Sequence, residues 1–149
     1  MTELRAHALA VDLPRRWEGR IFRHAGGEPT LHAANFALPP TDGDYGARAT
    51  SSMGKGGAFV AITEFESELA NQPLFHRNGL PRRLRPADLH PRSMMRPRPG
   101  FAGVQRFFHD RGRAFCLYVV VGNEPSRSGL CHVVNEVLAS VEIDRRPQS

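Results

Sequence analysis

Lysine is almost missing from this chain: of its 20 basic residues only Lys55 is lysine, so the formal charge of +5 rests on arginine. Such a bias also follows from a GC-rich genome, and a pI near 10.2 is therefore a weak pointer to nucleic acid. Cysteine is scarce too. Cys116 and Cys131 are too few for a disulfide scaffold, and each reads as a small buried hydrophobe. No apolar run approaches the ~20 residues that cross a bilayer. Met1-Thr2-Glu3-Leu4-Arg5 lacks the basic-then-apolar order of a leader, which gives an expectation of a cytoplasmic protein. There is no internal repeat and no break in composition, so residues 1–149 are read as a single domain with a Pro/Arg-rich loop at about 77–100.

What is present is concentrated near the carboxyl end. Val104–His109 and Arg113–Val121 are rich in aromatic and β-branched residues and are separated by Asp110-Arg111-Gly112, which predicts a hairpin. Leu117–Val121 is apolar without alternation, as suits an inner strand covered on both faces. After the breaker Gly122–Ser126, with Ser126 or Ser128 as cap, Leu130, Val133, Val134, Val137, Leu138 and Val141 form one stripe at steps of three and four. That stripe predicts a helix lying on the sheet. Its six side chains are worth on the order of 10 kcal/mol at ~25 cal/mol per Å2, before conformational entropy is subtracted. Ser140–Asp144 follows as a short last strand.

Earlier in the chain, Ala8–Leu13, Glu18–Arg23 and Leu31–Leu38 read as three strands of a meander, the third stopped by Pro39-Pro40. Residues 41–57 read as a long surface connection and Ala58–Phe65 as another strong strand. Glu66–Gln72 suits a short helix ended by Pro73. Residues 77–100 hold five prolines and seven arginines without periodicity, with an edge strand expected near Leu84–Leu89. Strands followed by a terminal helix predict an α+β fold, a mostly antiparallel sheet packed against a C-terminal amphipathic helix.

Two stretches carry a family likeness. Val11-Asp12-Leu13-Pro14-Arg15-Arg16-Trp17 resembles the strand, proline and tryptophan opening of PsbP-like α/β/α sandwich domains. The hairpin at Gly112 and the ending Val134-Asn135-Glu136-Val137-Leu138-Ala139-Ser140-Val141 resemble that group's last strand, helix and Leu-x-Ser close. The group includes the Ran-binding nuclear-import factor, photosystem II extrinsic proteins, bacterial lipoproteins and adaptor chaperones of type VI secretion effectors. The resemblance covers about a third of the chain and implies a domain that binds macromolecules and has no shared active site.

Residue by residue, chemistry is thin. Met53-Gly54-Lys55-Gly56-Gly57 lacks a phosphate loop's first glycine, with Ala49 in its place, and its closing Ser/Thr, with Gly56 there, so a flexible turn is the plain reading. His7, His24, His32, His76, His90, His109 and His132 are scattered, without H-x-x-x-H or CxxC, so no metal and no cofactor is expected. Cys116, His132 and Asp110 make a nucleophile, base and orienter only if the fold gathers them. Trp17 reads as a lid on the core, and Glu64 as a structural partner of Arg106 or Arg113.

The densest charge lies in Arg82-Arg83-Leu84-Arg85 and Arg92–Pro99, where no aromatic residue is interleaved as a base-stacking platform would require. Three readings stay open: a solvated loop, a protein contact, and a nucleic-acid contact. The expected function is a non-enzymatic binding or adaptor module, with Arg82, Arg83, Arg85, Arg96 and Arg98 facing a partner. The alternative is a basic nucleic-acid or ribosome-associated protein using the same arginines.

Overall fold

The computed structural model describes residues 1–146. It is an α+β structure of two antiparallel sheets and two helices. Strands β1 (Thr2–Ala6), β2 (Leu9–Leu13) and β8 (Glu142–Ile143) form a small sheet in the order β1-β2-β8. Strands β3 (Glu18–Arg23), β4 (Pro29–Ala34), β5 (Ala58–Phe65), β6 (Ala102–Asp110) and β7 (Arg113–Val121) form a large one in the order β3-β4-β5-β7-β6.

The expected hairpin is β6–β7, and Asp110 pairs with Arg113 across a two-residue loop. Arg111 and Gly112 have φ of 50° and 76°, the left-handed pair whose twist matches that of the flanking strands. β7 lies between β5 and β6 and is buried at every residue, which is why its sequence shows no alternation.

Helix α2 (Arg127–Ser140) is capped by the Ser126 hydroxyl, which accepts from Gly129 N at 3.0 Å. Leu130, Val134, Val137 and Leu138 are buried against one face of the large sheet, together with Leu9, Val11 and Leu13 of β2. Val133 is only half-buried; Cys131 completes the stripe in its place. The end of the helix is tied to β2 by Ser140, whose hydroxyl accepts from Asp12 N at 3.0 Å and lies 3.1 Å from Asp12 O. Trp17, Leu4 and Ile21 pack half-buried at the rim of this core.

Several expectations are corrected. The first three strand candidates are not one meander, because β2 bonds to β1 and β8 while β3–β4 belongs to the large sheet. The third strand stops at Ala34, well before Pro39: the Asn35 side chain accepts from Ala58 N at 2.8 Å and donates to Gly56 O at 2.9 Å, turning the chain out of the ladder. The 41–57 connection contains helix α1 (Ala47–Ser52). Glu66–Gln72 is a 3-10 turn over Ser67–Asn71. There is no strand at Leu84–Leu89; that stretch holds a 3-10 turn at Pro86–Asp88. The last strand is trimmed to Glu142–Ile143. β1 had no counterpart in the sequence reading.

The two sheets are joined by one buried side chain. Arg113 is 2% exposed and grips the fully buried Glu64 carboxylate through Nε at 3.0 Å and Nη2 at 2.6 Å. Its other donors reach Ala8 O at 2.9 Å, Asp144 O at 2.7 Å and His7 O at 3.1 Å. All five guanidinium N–H groups are thereby used, a geometry that lysine cannot supply. His7 and Ala8 form the β1–β2 turn with φ of 52° and 60°, unfavourable for non-glycine residues, and Arg113 holds that turn.

The candidate partner-binding flank

Residues 76–100 run along the β6 side of the large sheet and are fastened along their length, with four main-chain anchors ahead of Arg98. At the first, His109 N donates to Arg77 O and Gly79 N donates to His109 O, each at 2.8 Å. At the second, Leu84 is held by the Asn135 carboxamide, which accepts from its N at 2.9 Å and donates to its O at 2.8 Å. At the third, His90 and Gly103 exchange backbone hydrogen bonds at 2.8 and 3.0 Å. At the fourth, Met95 N donates to the Tyr118 hydroxyl at 2.8 Å. Leu80, Leu84, Leu89 and Met94 are buried beneath the segment. A stretch without periodicity is thus set in place by scattered anchors.

These anchors sort the arginines. Arg82 is exposed over part of its surface, yet its Nη1 donates to Leu138 O at 2.7 Å and Val141 O at 2.8 Å, adding to the Val141 N bond that Leu138 O accepts at the carboxyl end of α2. Arg98 Nη1 donates to Thr50 O at 2.6 Å and Met53 O at 3.1 Å, and its guanidinium stacks 4.2 Å over the Phe101 ring. Both therefore brace the fold. Arg85 is exposed and 3.5 Å from Asp88, whose carboxylate also accepts from Arg85 N at 2.8 Å. That backbone bond, with the nearby guanidinium groups of Arg85 and Arg106, holds the Asp88 carboxyl below its usual range.

Arg83 and Arg96 are exposed and form no hydrogen bond or ion pair with any described side chain or carbonyl. The guanidinium groups of Arg92, from the dense Arg92–Pro99 stretch, and of Arg77, which lies outside both dense stretches, share that condition. Asp88 is the one acid between Glu68 and Asp110, and sequence counting alone would have found the imbalance. The flank is a basic surface on a fixed frame. It presents fully charged, planar donors suited to carboxylates or phosphates.

The other candidates are dispersed. Cys116 is on the face of β7 opposite α2, and burial pushes its thiol up to about 12. His132 is exposed on α2, paired with Glu136 at 3.1 Å, and Asp110 ends β6. The three do not meet. Gly54–Gly57 is a tight turn, with Gly57 N donating to Gly54 O at 2.9 Å, leading into β5. Glu64 pairs with Arg113, one of its two expected partners. Among the described residues no helix is long and apolar enough to cross a membrane. No family model, no curated protein and no solved structure matches this chain.

Proposed function

We propose that the chain is a non-enzymatic binding or adaptor module that contacts a protein partner through its basic flank. The observation that carries this reading is the pinned 76–100 segment: Arg83, Arg92 and Arg96 project from a fixed frame, without the acids that would neutralise them. A mere solvated loop would need no such anchoring. The PsbP-like resemblance at the two ends supports the same reading, since two antiparallel sheets with a terminal helix are compatible with that group. A nucleic-acid contact uses the same charges but lacks a stacking surface here, because Phe101 is buried beneath Arg98.

The test is affinity capture from an extract of the source cell, before and after nuclease treatment. It compares the natural chain with a variant in which Arg83, Arg92 and Arg96 are changed to Ser. A nuclease-resistant protein held by the natural chain and lost from the variant is the expected result. Equal capture by both removes the proposal. A nuclease-sensitive capture that weakens steeply with salt moves the assignment to nucleic acid.

A further inference from the structure

The exposed side of α2 and the 82–85 stretch are the two walls of an open groove of about 630 Å3. Sites that take small molecules or short chain segments are commonly ~300–1,000 Å3. Its shape is held by bonds on both walls. The Asn135 carboxamide fixes Leu84 on its N and O, the Cys131 thiol lies 3.2 Å from the same carbonyl, and Arg82 reaches across to the end of the helix. Such a groove needs no ordering when something enters it, which lowers the cost of association.

Its open charge is positive. Arg83 has no described partner, and the Arg85 side chain is 81% exposed, with one long contact to Asp88. On the facing wall Glu136, 3.1 Å from His132, is the one acid among the lining residues, against Arg82, Arg83 and Arg85. Ala139 lines the same groove with its methyl exposed.

Resting on the basic-flank reading and narrowing it, we infer that this groove receives an acidic linear segment of a partner protein. Its carboxylates face Arg83 and Arg85, and a small apolar side chain lies on Ala139. Guanidinium groups pair carboxylates in a planar fork, and the Ala139 methyl gives a side chain a place that a nucleic-acid backbone would leave empty.

The experiment is an amide-shift titration of the 15N-labelled full chain. The probes are a capped eight-residue peptide alternating Glu and Leu, the same peptide with Gln for Glu, and an eight-nucleotide oligothymidylate. The inference expects the amides of Leu84, His132, Asn135 and Ala139 to move with the Glu peptide and to stay still with the Gln peptide. Arg83→Glu with Arg85→Glu is expected to weaken the response about tenfold or more, whereas Arg15→Glu with Arg16→Glu, an equal charge change elsewhere, keeps it within about twofold. Shifts centred on Arg92 and Arg96 instead overturn the groove and leave the flank standing. Silence along the whole flank overturns both. A stronger groove response to oligothymidylate than to the Glu peptide overturns the choice of occupant.

Discussion

The two faces of the large sheet are covered by different means. On one, α2 and the small sheet lay an apolar layer on Leu31, Val60, Ile62, Leu117 and Val119, and Leu80, Leu84 and Leu89 of the arginine segment extend it. On the other, Phe59, Ala61, Tyr118 and Val120 are roofed by short pieces: α1, Met53, Met94 and Phe101. The first roof is a periodic element that buries a stripe. The second is a set of loops held by polar anchors, chiefly Asp42 and Asp44. The Asp42 carboxylate accepts from Gly43 N, Arg48 N and Ala49 N, each at 2.9 Å. The Asp44 carbonyl lies 2.8 Å from His32 Nε2 and accepts from Thr63 Oγ1 at 3.1 Å, while its carboxylate accepts from Thr30 Oγ1. Periodic cover should unfold with the whole domain, and anchored cover should open on its own.

The sharpest way to break this comparison is on the helix side. Val134→Asp places a charge against the sheet with no partner, and the expected outcome is loss of the folded state, seen as loss of the thermal transition by circular dichroism. Next is the seam between sheets. Arg113→Met leaves the Glu64 carboxylate buried against fewer donors, with Arg146 at 2.7 Å as its remaining cation. A loss of ~3–5 kcal/mol in urea unfolding is expected, with partial recovery on adding Glu64→Gln. Asp42→Ala removes three charge-assisted bonds and should cost ~1–3 kcal/mol. Hydrogen exchange should then speed in residues 42–52 while β5 and β7 stay protected; equal loss of protection in both would end the distinction between the two covers.

A smaller effect is expected from pH. Burial holds the His32 imidazole below its ordinary value, so the unfolded chain takes up a proton there before the folded one does. Stability should therefore be full above about pH 6.5 and decline as pH falls below it. His32→Gln should flatten that decline in urea midpoints measured across the range. Smallest of all, changing Arg83, Arg92 and Arg96 to Ser should leave stability within about 0.5 kcal/mol, checked by the same unfolding curve, since none of them holds the fold.

The helix-covered face was legible because its signals are local. A stripe at steps of three and four, a serine cap, and an unbroken apolar β7 each lie within a few residues. The loop-covered face was not, because its determinants are distant in sequence. Helix α1 follows Gly46, which has no side chain to cap it, and Asp42 supplies the acceptors from several residues earlier. β1 was missed because it is a short edge strand none of whose residues is fully buried. Its pairing with β2, and the pairing of β2 with β8 at the far end of the chain, decide the small sheet. The candidate site divided in the same way. Arginine density marked the segment, but only the fold could show that Arg82 closes a helix 56 residues away and that Arg98 braces α1, whereas Arg83 and Arg96 stay open.

The bonds from residues 77–79 to His109 and from His90 to Gly103 lie along the rim of the large sheet. Between them, only the short reach around Gln105 and Phe107 lacks a backbone neighbour from that segment. A second copy seeking to extend the sheet from this rim would find the stretch Val104–Phe108 closed off at both ends by the arginine segment. The arginine segment thus also works as a selvedge: by stitching the border at both ends, it hinders the edge of the large sheet from templating fibres of its own kind.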